Sequence, residues 1–502
     1  MMKRKLIAVF LMIAMLMSMN SCGFIIINDI SGEHESEQGE TDTVAGEKDP
    51  ESEDKYTKYE DDGVSKRDLA REYLAELPER YYDGAAFFIT TPSTDYISPD
   101  ETGEAVSKLA HERNSEVEDL LSITIVTTVR DANTILEEVK QAEKSGLYYT
   151  DLMMVPIYMI GQYRVEDVLL NMRSIPFFDV DKPYFNKSSS DMTSGGYSTY
   201  GVAGHASISP SSLSAVYMNK SVIEKAGVDV SSIYKSAAEG TWTWDMFLQY
   251  TEAVKTLNGD KKVSDENFSG YYTVTAQNTA SRLPDLIFKS AGNDFIKTGK
   301  RKVPSIGYSL HTVEKTMELI NTVYNDEYAI TSETARAVKP FSEGRSAFLI
   351  DYLDVMETLT GSTTDFGILP LPKAEEKDDY RTLVANTELV FAIPKSHTNT
   401  EFAGITLSAL NAASYGYIYD EYVDYSMMNY LRDNESIGML DMILDTAEFD
   451  FALAFGNAYP EIANATYKLI RECAKNGNIA DYFEERGLAA RAVFREKFDL
   501  SY

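Results

Sequence analysis

The sequence predicts an α/β protein built as two lobes, and three observations lead there. Short runs rich in Val, Ile, Phe and Thr alternate along the chain with segments of helical periodicity, the pattern of strand–helix–strand units and parallel sheet. With an N-terminal leader and an acidic stretch set aside, roughly 430 of the 502 residues remain, enough for two cores. Apolar residues make up 44% of the chain, a globular proportion.

Residues 1–22 read as a secretory signal. Lys3, Arg4 and Lys5 form a basic head, Leu6 to Met17 are almost wholly apolar, and Ser21 places a small residue before Cys22. The apolar run is shorter than the roughly 20 residues that a membrane span needs. The cysteine makes the segment resemble a bacterial lipoprotein signal, with Met19 where Leu is usual, and implies lipidation at Cys22. Residues 23–65 are acidic, with Gly, Ser and Thr and few large apolar side chains. Such a stretch buries too little surface to offset its ordering entropy, so a flexible tether is expected.

The net charge of −32 repels nucleic acid and anionic headgroups, so neither is an expected partner of the body. If Cys22 carries lipid, Cys473 is left alone and no internal disulfide forms. Cys473 follows Leu469, Ile470, Arg471 and Glu472 in a helical pattern and reads as a packed small residue. The five histidines are not at ligand spacing, and no H-E-x-x-H, C-x-x-C, phosphate-cradling loop or G-x-S-x-G occurs, so no metal or cofactor is expected. Glu375, Glu376, Asp378 and Asp379 read as a solvated loop. Asp179 and Asp181 are spaced to touch a cation, a spacing common by chance.

The elements follow in order. Arg67 to Leu77 is a lead-in helix. Ala85 to Thr90 is a buried strand, and Thr91 to Tyr96 a polar loop at its C-terminal end, where open α/β sheets bind ligands. Glu104 to Asn114 is a helix, Leu121 to Thr127 a strand, and Asp131 to Ser145 a helix with Ile135, Val139 and Ala142 on one face. Asp151 to Val155 is a third strand, ending in the loop Pro156 to Gly161. Leu213 to Met218 is a strand that runs into Asn219 and a short helix ending at Gly227, a natural left-handed cap. Thr243 caps a second helix, with Asp245 in its first turn and Phe247, Tyr250, Val254 and Leu257 on its buried face. Gly270 to Thr275 is a strand, Gln277 to Arg282 a polar loop, Leu283 to Ala291 a helix ending at Gly292, and Val313 to Tyr324 another. The remainder, including Met427 to Asp445, is helical.

Across residues 217–247 the order Y-M-N-K, A-G-V, T-W-D-M-F resembles the extracellular solute-binding proteins of ABC importers, with Met218 inserted between Tyr217 and Asn219. Further stretches resemble the same family: Y-T-D-L-M-M from Tyr149, D-V-L-L-N-M-R-S-I-P-F-F-D-V-D-K-P-Y-F from Asp167, and the short Gly195 to Ala203 strand. So do F-S-E-G-R-S-A-F from Phe341, which opens a strand ending at Asp351, Tyr352 and Asp354, and F-G-I-L-P-L-P from Phe366. The strand Leu389 to Pro394, with Asn386, Thr387 and Glu388 before it, completes the match, which runs from about Tyr82 to the end.

The resemblance implies a two-lobed α/β fold of the periplasmic-binding-protein type II, its lobes joined by a hinge. Lobe one is expected at 80–209 plus 365–410 and lobe two at 210–364 plus 411–502. It implies a monomeric receptor, lipid-anchored on the extracellular face of the cytoplasmic membrane, that captures a small solute, carbohydrate first, for an ABC permease. Ligand contacts are expected at Thr94, Asp95 and Tyr96; Ser209 and Ser211; Gln277 and Arg282; Asp351, Tyr352 and Asp354; and Asn386. Asp95, Arg282 and Asp351 lead, since charged groups orient ligand hydroxyls strongly. Replacing these three by Ala is expected to weaken binding and leave the unliganded melting temperature nearly unchanged. With 33 Tyr and 22 Phe but two Trp, ring faces for sugar stacking come mostly from Tyr and Phe. Trp244 reads as packing, and Trp242 stays a ligand candidate. Two rivals remain: a surface-anchored glycan-active enzyme, its carboxylate pair Asp95 and Asp351 about 5–10 Å apart, and a lipoprotein that binds a partner and signals.

Overall fold

The structure, a computed structural model, describes residues 66–498 apart from 95–96, 98–104, 260–269, 299–302, 332–336, 416–420, 424, 427–428 and 432. The expected signal, tether and Cys22 therefore lie outside the described residues, which all fall within the unit Tyr56–Tyr502. Eight strands build two sheets: β1 (Ala85–Thr91), β2 (Ile123–Val129), β3 (Leu152–Pro156), β4 (Ser214–Asn219), β5 (Tyr272–Thr275), β6 (Ser346–Tyr352), β7 (Phe366–Leu369) and β8 (Leu389–Ala392).

The first sheet has the order β8-β3-β1-β2. β1 runs parallel to β2 and β3, and β8 closes the β3 edge antiparallel, with Val390 opposite Val155. All five β3 residues are buried, as in a strand covered on both faces. The second sheet has the order β7-β4-β6-β5. β4 is its axis, antiparallel to both neighbours, with Tyr217 opposite Leu349 on one side and Ile368 on the other. β5 joins β6 in parallel.

The helices covering these sheets are α1 (Lys66–Ala75), α2 (Ala105–Leu121), α3 (Ala132–Ser145), α4 (Lys220–Lys225), α5 (Trp244–Thr256), α6 (Leu283–Ser290), α7 (Leu310–Tyr324), α8 (Thr400–Ala413), α9 (Glu435–Asp445), α10 (Phe451–Phe455) and α11 (Tyr467–Asn476). Their ends follow local chemistry. The Asp131 carboxylate accepts the N–H groups of Asn133 and Thr134, and Gly146 closes α3 at φ 61°. Asn219 caps α4 and Gly227 follows it at φ 78°, a left-handed conformation that favours glycine. Thr243 caps α5 through Met246 N–H. α8 packs on α1 and α2 beside the first sheet, α6 packs on α7 and α11, and α10 lies against residues 157–165.

The chain crosses between the sheets twice in adjacent segments. The outward crossing is 207–213 and the return crossing 382–388. They are stitched together by Ala385 N–H to Ser212 C=O at 3.0 Å and Ser214 Oγ to Leu383 C=O at 3.1 Å. A third passage leads from α8 to α9, which packs beside β7. One boundary moves. The sequence places residues from 365 onward with the first sheet, whereas β7 hydrogen-bonds along β4 in the second, so the return begins after Leu369. The F-G-I-L pattern marks a buried strand without saying which sheet accepts it.

Candidate functional site

β1 and β3 are parallel neighbours, so their C-terminal ends open on the same edge, where helix-covered α/β sheets leave room for ligands. The two crossings run past that edge, and a cleft of about 360 Å³ lies there. Pro92, Ser93 and Ile97 enter from the loop after β1, and Met154 and Pro156 from β3. The outward crossing supplies Ser207, Ser209 and Ser212, and the return crossing Thr387, Glu388 and Leu389. Small hydroxyls thus face apolar side chains, the mixture that orients a small polar solute.

The β1 loop is held from behind. Arg113 is fully buried and donates to Ile97 C=O at 3.2 Å, and the Asn114 amide donates to the same oxygen at 2.7 Å. The Thr91 hydroxyl donates to Ser93 C=O at 2.7 Å.

Glu388 joins the parts. It is 5% exposed. Its Oε1 accepts the Ser209 N–H at 2.9 Å, the Leu389 N–H also donates to the carboxylate, and the Ser212 hydroxyl lies beside it, donating to Ser209 C=O at 2.8 Å. Its own C=O accepts Ile157 N–H at 2.9 Å, tying the end of β3 to the same knot. Among the described residues no cationic side chain pairs with it, and burial pushes the carboxyl up to about 7.

The residues expected from sequence fall into three groups. Ser209 lines the cleft. Ser211 lies beside it, its hydroxyl 2.6 Å from that of Ser209. Thr94 follows the cleft residue Ser93, and Asn386 precedes Thr387; both are half-buried. Asp95 and Tyr96 lie outside the described residues.

The second group sits at the second sheet. Asp351 is fully buried at the end of β6 and accepts the N–H groups of Tyr352 at 2.9 Å, Asn278 at 3.1 Å and Gln277 at 3.3 Å. Burial pushes it up to about 6. It clamps the 276–280 loop, leaving Gln277 half-buried. Arg282 is 5% exposed and spans from the Tyr352 hydroxyl at 2.6 Å to Val384 C=O at 3.4 Å. It braces the return crossing against the end of β6. Asp354 is exposed, and its N–H donates to Ser211 C=O at 3.1 Å.

The third group is Trp242, and there the structure corrects the sequence. Trp242 is fully buried, donates from Nε1 to Pro370 C=O at 3.0 Å and stacks on Tyr250. An indole with its N–H satisfied inside the core has no face left for a ligand.

Sequence reasoning passed over a buried ionic cluster. Lys289 lies 3.1 Å from Asp294 and 3.4 Å from Asp450, and Arg381 bonds Asp294 at 2.5 Å and Glu448 at 2.6 Å. Asp285 is held by Arg471, which donates from Nε to both its oxygens at 3.0 Å. Lys289 and Asp294 are neighbours in the chain, but Arg381, Glu448, Asp450 and Arg471 come from distant stretches, so no local pattern announces the cluster. Among the described residues no group of metal-ligating side chains occurs, and no helix is long and apolar enough to cross a membrane.

Residues 108–409 match the family model described as bacterial extracellular solute-binding protein. Solved structures share the fold, which is two-lobed α/β. The cyclic α-maltosyl-1,6-maltose binding protein from Arthrobacter globiformis superposes with a TM-score of 0.55 at 11% identity, over 82% of this chain and 100% of that one. The sugar-binding protein MalE from the phytopathogen Xanthomonas citri gives 0.53 at 10% identity, over 82% and 98%. UgpB from Mycobacterium tuberculosis, solved with glycerophosphocholine, gives 0.50 at 13% identity, over 83% and 99%. No curated protein sequence matches the chain.

Proposed function

The chain belongs to the bacterial extracellular solute-binding protein family, and from that premise we propose that it captures a carbohydrate in the cleft at the crossings and delivers it to an ABC permease. The observation that carries this reading is the cleft wall: Ser93, Ser207, Ser209, Ser212 and Thr387 present hydroxyls beside Ile97, Met154 and Pro156. Hydroxyls exchange hydrogen bonds with sugar hydroxyls, while apolar side chains cover the C–H faces. Two of the similar structures bear names that tie them to maltose-type or other sugars.

The reading extends to closure. Adjacent crossings at 207–213 and 382–388 give a hinge about which the sheets close on the solute, so that modest contacts on both sides sum to useful affinity. We place the lobes as the sequence expects, with the return boundary moved past Leu369. Lipidation at Cys22 keeps the monomeric receptor at the cell surface. We read the protein as a carrier without catalysis. Asp351, one of the two carboxylates that the enzyme reading needs, is fully buried and bonded to three backbone N–H groups.

A thermal-shift screen of the full-length protein against oligosaccharides, glycerophosphodiesters, peptides and ions tests the reading. Concentration-dependent stabilisation by an oligosaccharide is expected. Stabilisation by another class alone, with none by sugars, would overturn it.

A further inference from the structure

The cleft contains one ionisable side chain among the described residues that line it, and that side chain is buried at the knot of the two crossings. The Glu388 carboxylate accepts from Ser209 N–H and Leu389 N–H, while the nearby Ser212 hydroxyl donates to Ser209 C=O at 2.8 Å. An ionised carboxylate offers roughly four acceptor positions, so these two N–H donors leave it room for a ligand hydroxyl. That vacancy belongs to a group which already borders the ligand volume.

The neighbouring elements bring no cation to it. The outward crossing presents Ser207, Ser209, Ser211 and Ser212. The end of β3 is followed by Tyr158, whose N–H donates to Asn386 C=O. From the second sheet come Asp354, an acid whose N–H is on Ser211 C=O, and Arg282, whose two terminal nitrogens bond Tyr352 Oη and Val384 C=O and whose Nε lies 3.9 Å from Asp285. A charged Glu388 is therefore stabilised by hydrogen bonds alone.

We propose that Glu388 couples solute capture to proton release: a ligand hydroxyl donates to the carboxylate, and the protonated form is displaced as the ligand binds. The proposal rests on the carbohydrate reading of this same cleft. In the step, the Glu388 carboxyl loses its proton to solvent, the ligand keeps its own, and one O–H···O hydrogen bond forms. Because burial holds the free carboxyl up to about 7, an appreciable share of the unliganded protein carries that proton at neutral pH. An extra donor lowers the cost of the charged form, and by linkage the affinity must rise with pH.

The test is isothermal titration calorimetry on the full-length protein with maltotetraose, and with each other oligosaccharide that raises the melting temperature. It is run from about pH 6 to about pH 8, an interval that spans the titration, in buffers of different ionisation enthalpy. The proposal predicts an affinity gain of up to about tenfold across that interval, with a buffer-dependent heat that reports proton release. Glu388→Gln, which keeps shape and one acceptor oxygen, should bind with an affinity flat in pH. Binding of equal affinity and buffer-independent heat throughout would overturn the proposal and leave the carbohydrate reading intact. That wild-type measurement decides even if the variant does not fold. Binding to no oligosaccharide would overturn both.

Discussion

The Asp351 carboxylate accepts the backbone N–H of Asn278 at 3.1 Å, tying the end of β6 to the loop that leaves β5. With Gln277 and Tyr352 as its other donors, this residue is a clamp inside the second sheet, where sequence alone expected a ligand contact. Asp351→Ala should therefore lower the stability of the free protein by about 3 kcal/mol, because buried N–H groups lose their acceptor. Chemical denaturation checks this. A variant as stable as the parent but weakened in ligand binding would return Asp351 to the site.

A second expectation concerns pH. Burial raises both Asp351, to about 6, and Glu388, to about 7, above their ordinary values. The folded protein thus holds protons that the unfolded chain has already lost, so this contribution to stability is fullest in acid and declines as pH rises from about 4 to about 7. For Glu388 the decline is on the order of 3 kcal/mol. Glu388→Gln should flatten the upper part of the curve and leave the part due to Asp351. Denaturant midpoints measured across that range check it, and an unchanged slope would contradict it.

A third expectation concerns Trp242. It packs against Phe247 and Tyr250 and satisfies its N–H on Pro370 C=O. Trp242→Ala should cost about 3–5 kcal/mol of stability. Ligand affinity, measured on whatever fraction remains folded, should be unchanged. Loss of affinity in a fully stable variant would place the indole in the cleft.

A fourth concerns the anchor. If Cys22 carries lipid, Cys22→Ala should move the protein from the membrane fraction to soluble or unprocessed forms and abolish lipid labelling. Unchanged labelling would contradict this.

Much of the fold was legible because it rests on local signals. Buried β-rich runs marked β1, β3 and β4 to within a residue or two, and Asp131, Asn219, Thr243, Gly146 and Gly227 have the chemistry of helix ends. Of the helical stretch expected from Met427 to Asp445, residues 427, 428 and 432 lie outside the described residues, and α9 covers Glu435–Asp445. Cys473 is buried, as its helical spacing implied. The site was less legible. Strand-end position picked out Ser209, which lines the cleft, and residues next to the cleft-lining Ser93 and Thr387, since sheet topology decides where strand ends meet. It could not separate a polar residue facing the cleft from one turned inward, and Asp351 and Arg282 turn inward. Glu388 carries no sequence mark that distinguishes it from other loop acids. Its contact with Ser209, 179 residues away in the chain, arises only where the two crossings lie side by side, a tertiary fact.

The most direct test of the account is small-angle scattering on the full-length protein titrated with a stabilising oligosaccharide, alongside its melting temperature. Capture at a hinge predicts a more compact particle whose fraction rises with ligand in step with a stabilisation of RT ln(1 + [L]/Kd), about 2.7 kcal/mol at a hundredfold excess over Kd. Saturable binding with no change in particle dimensions would contradict it.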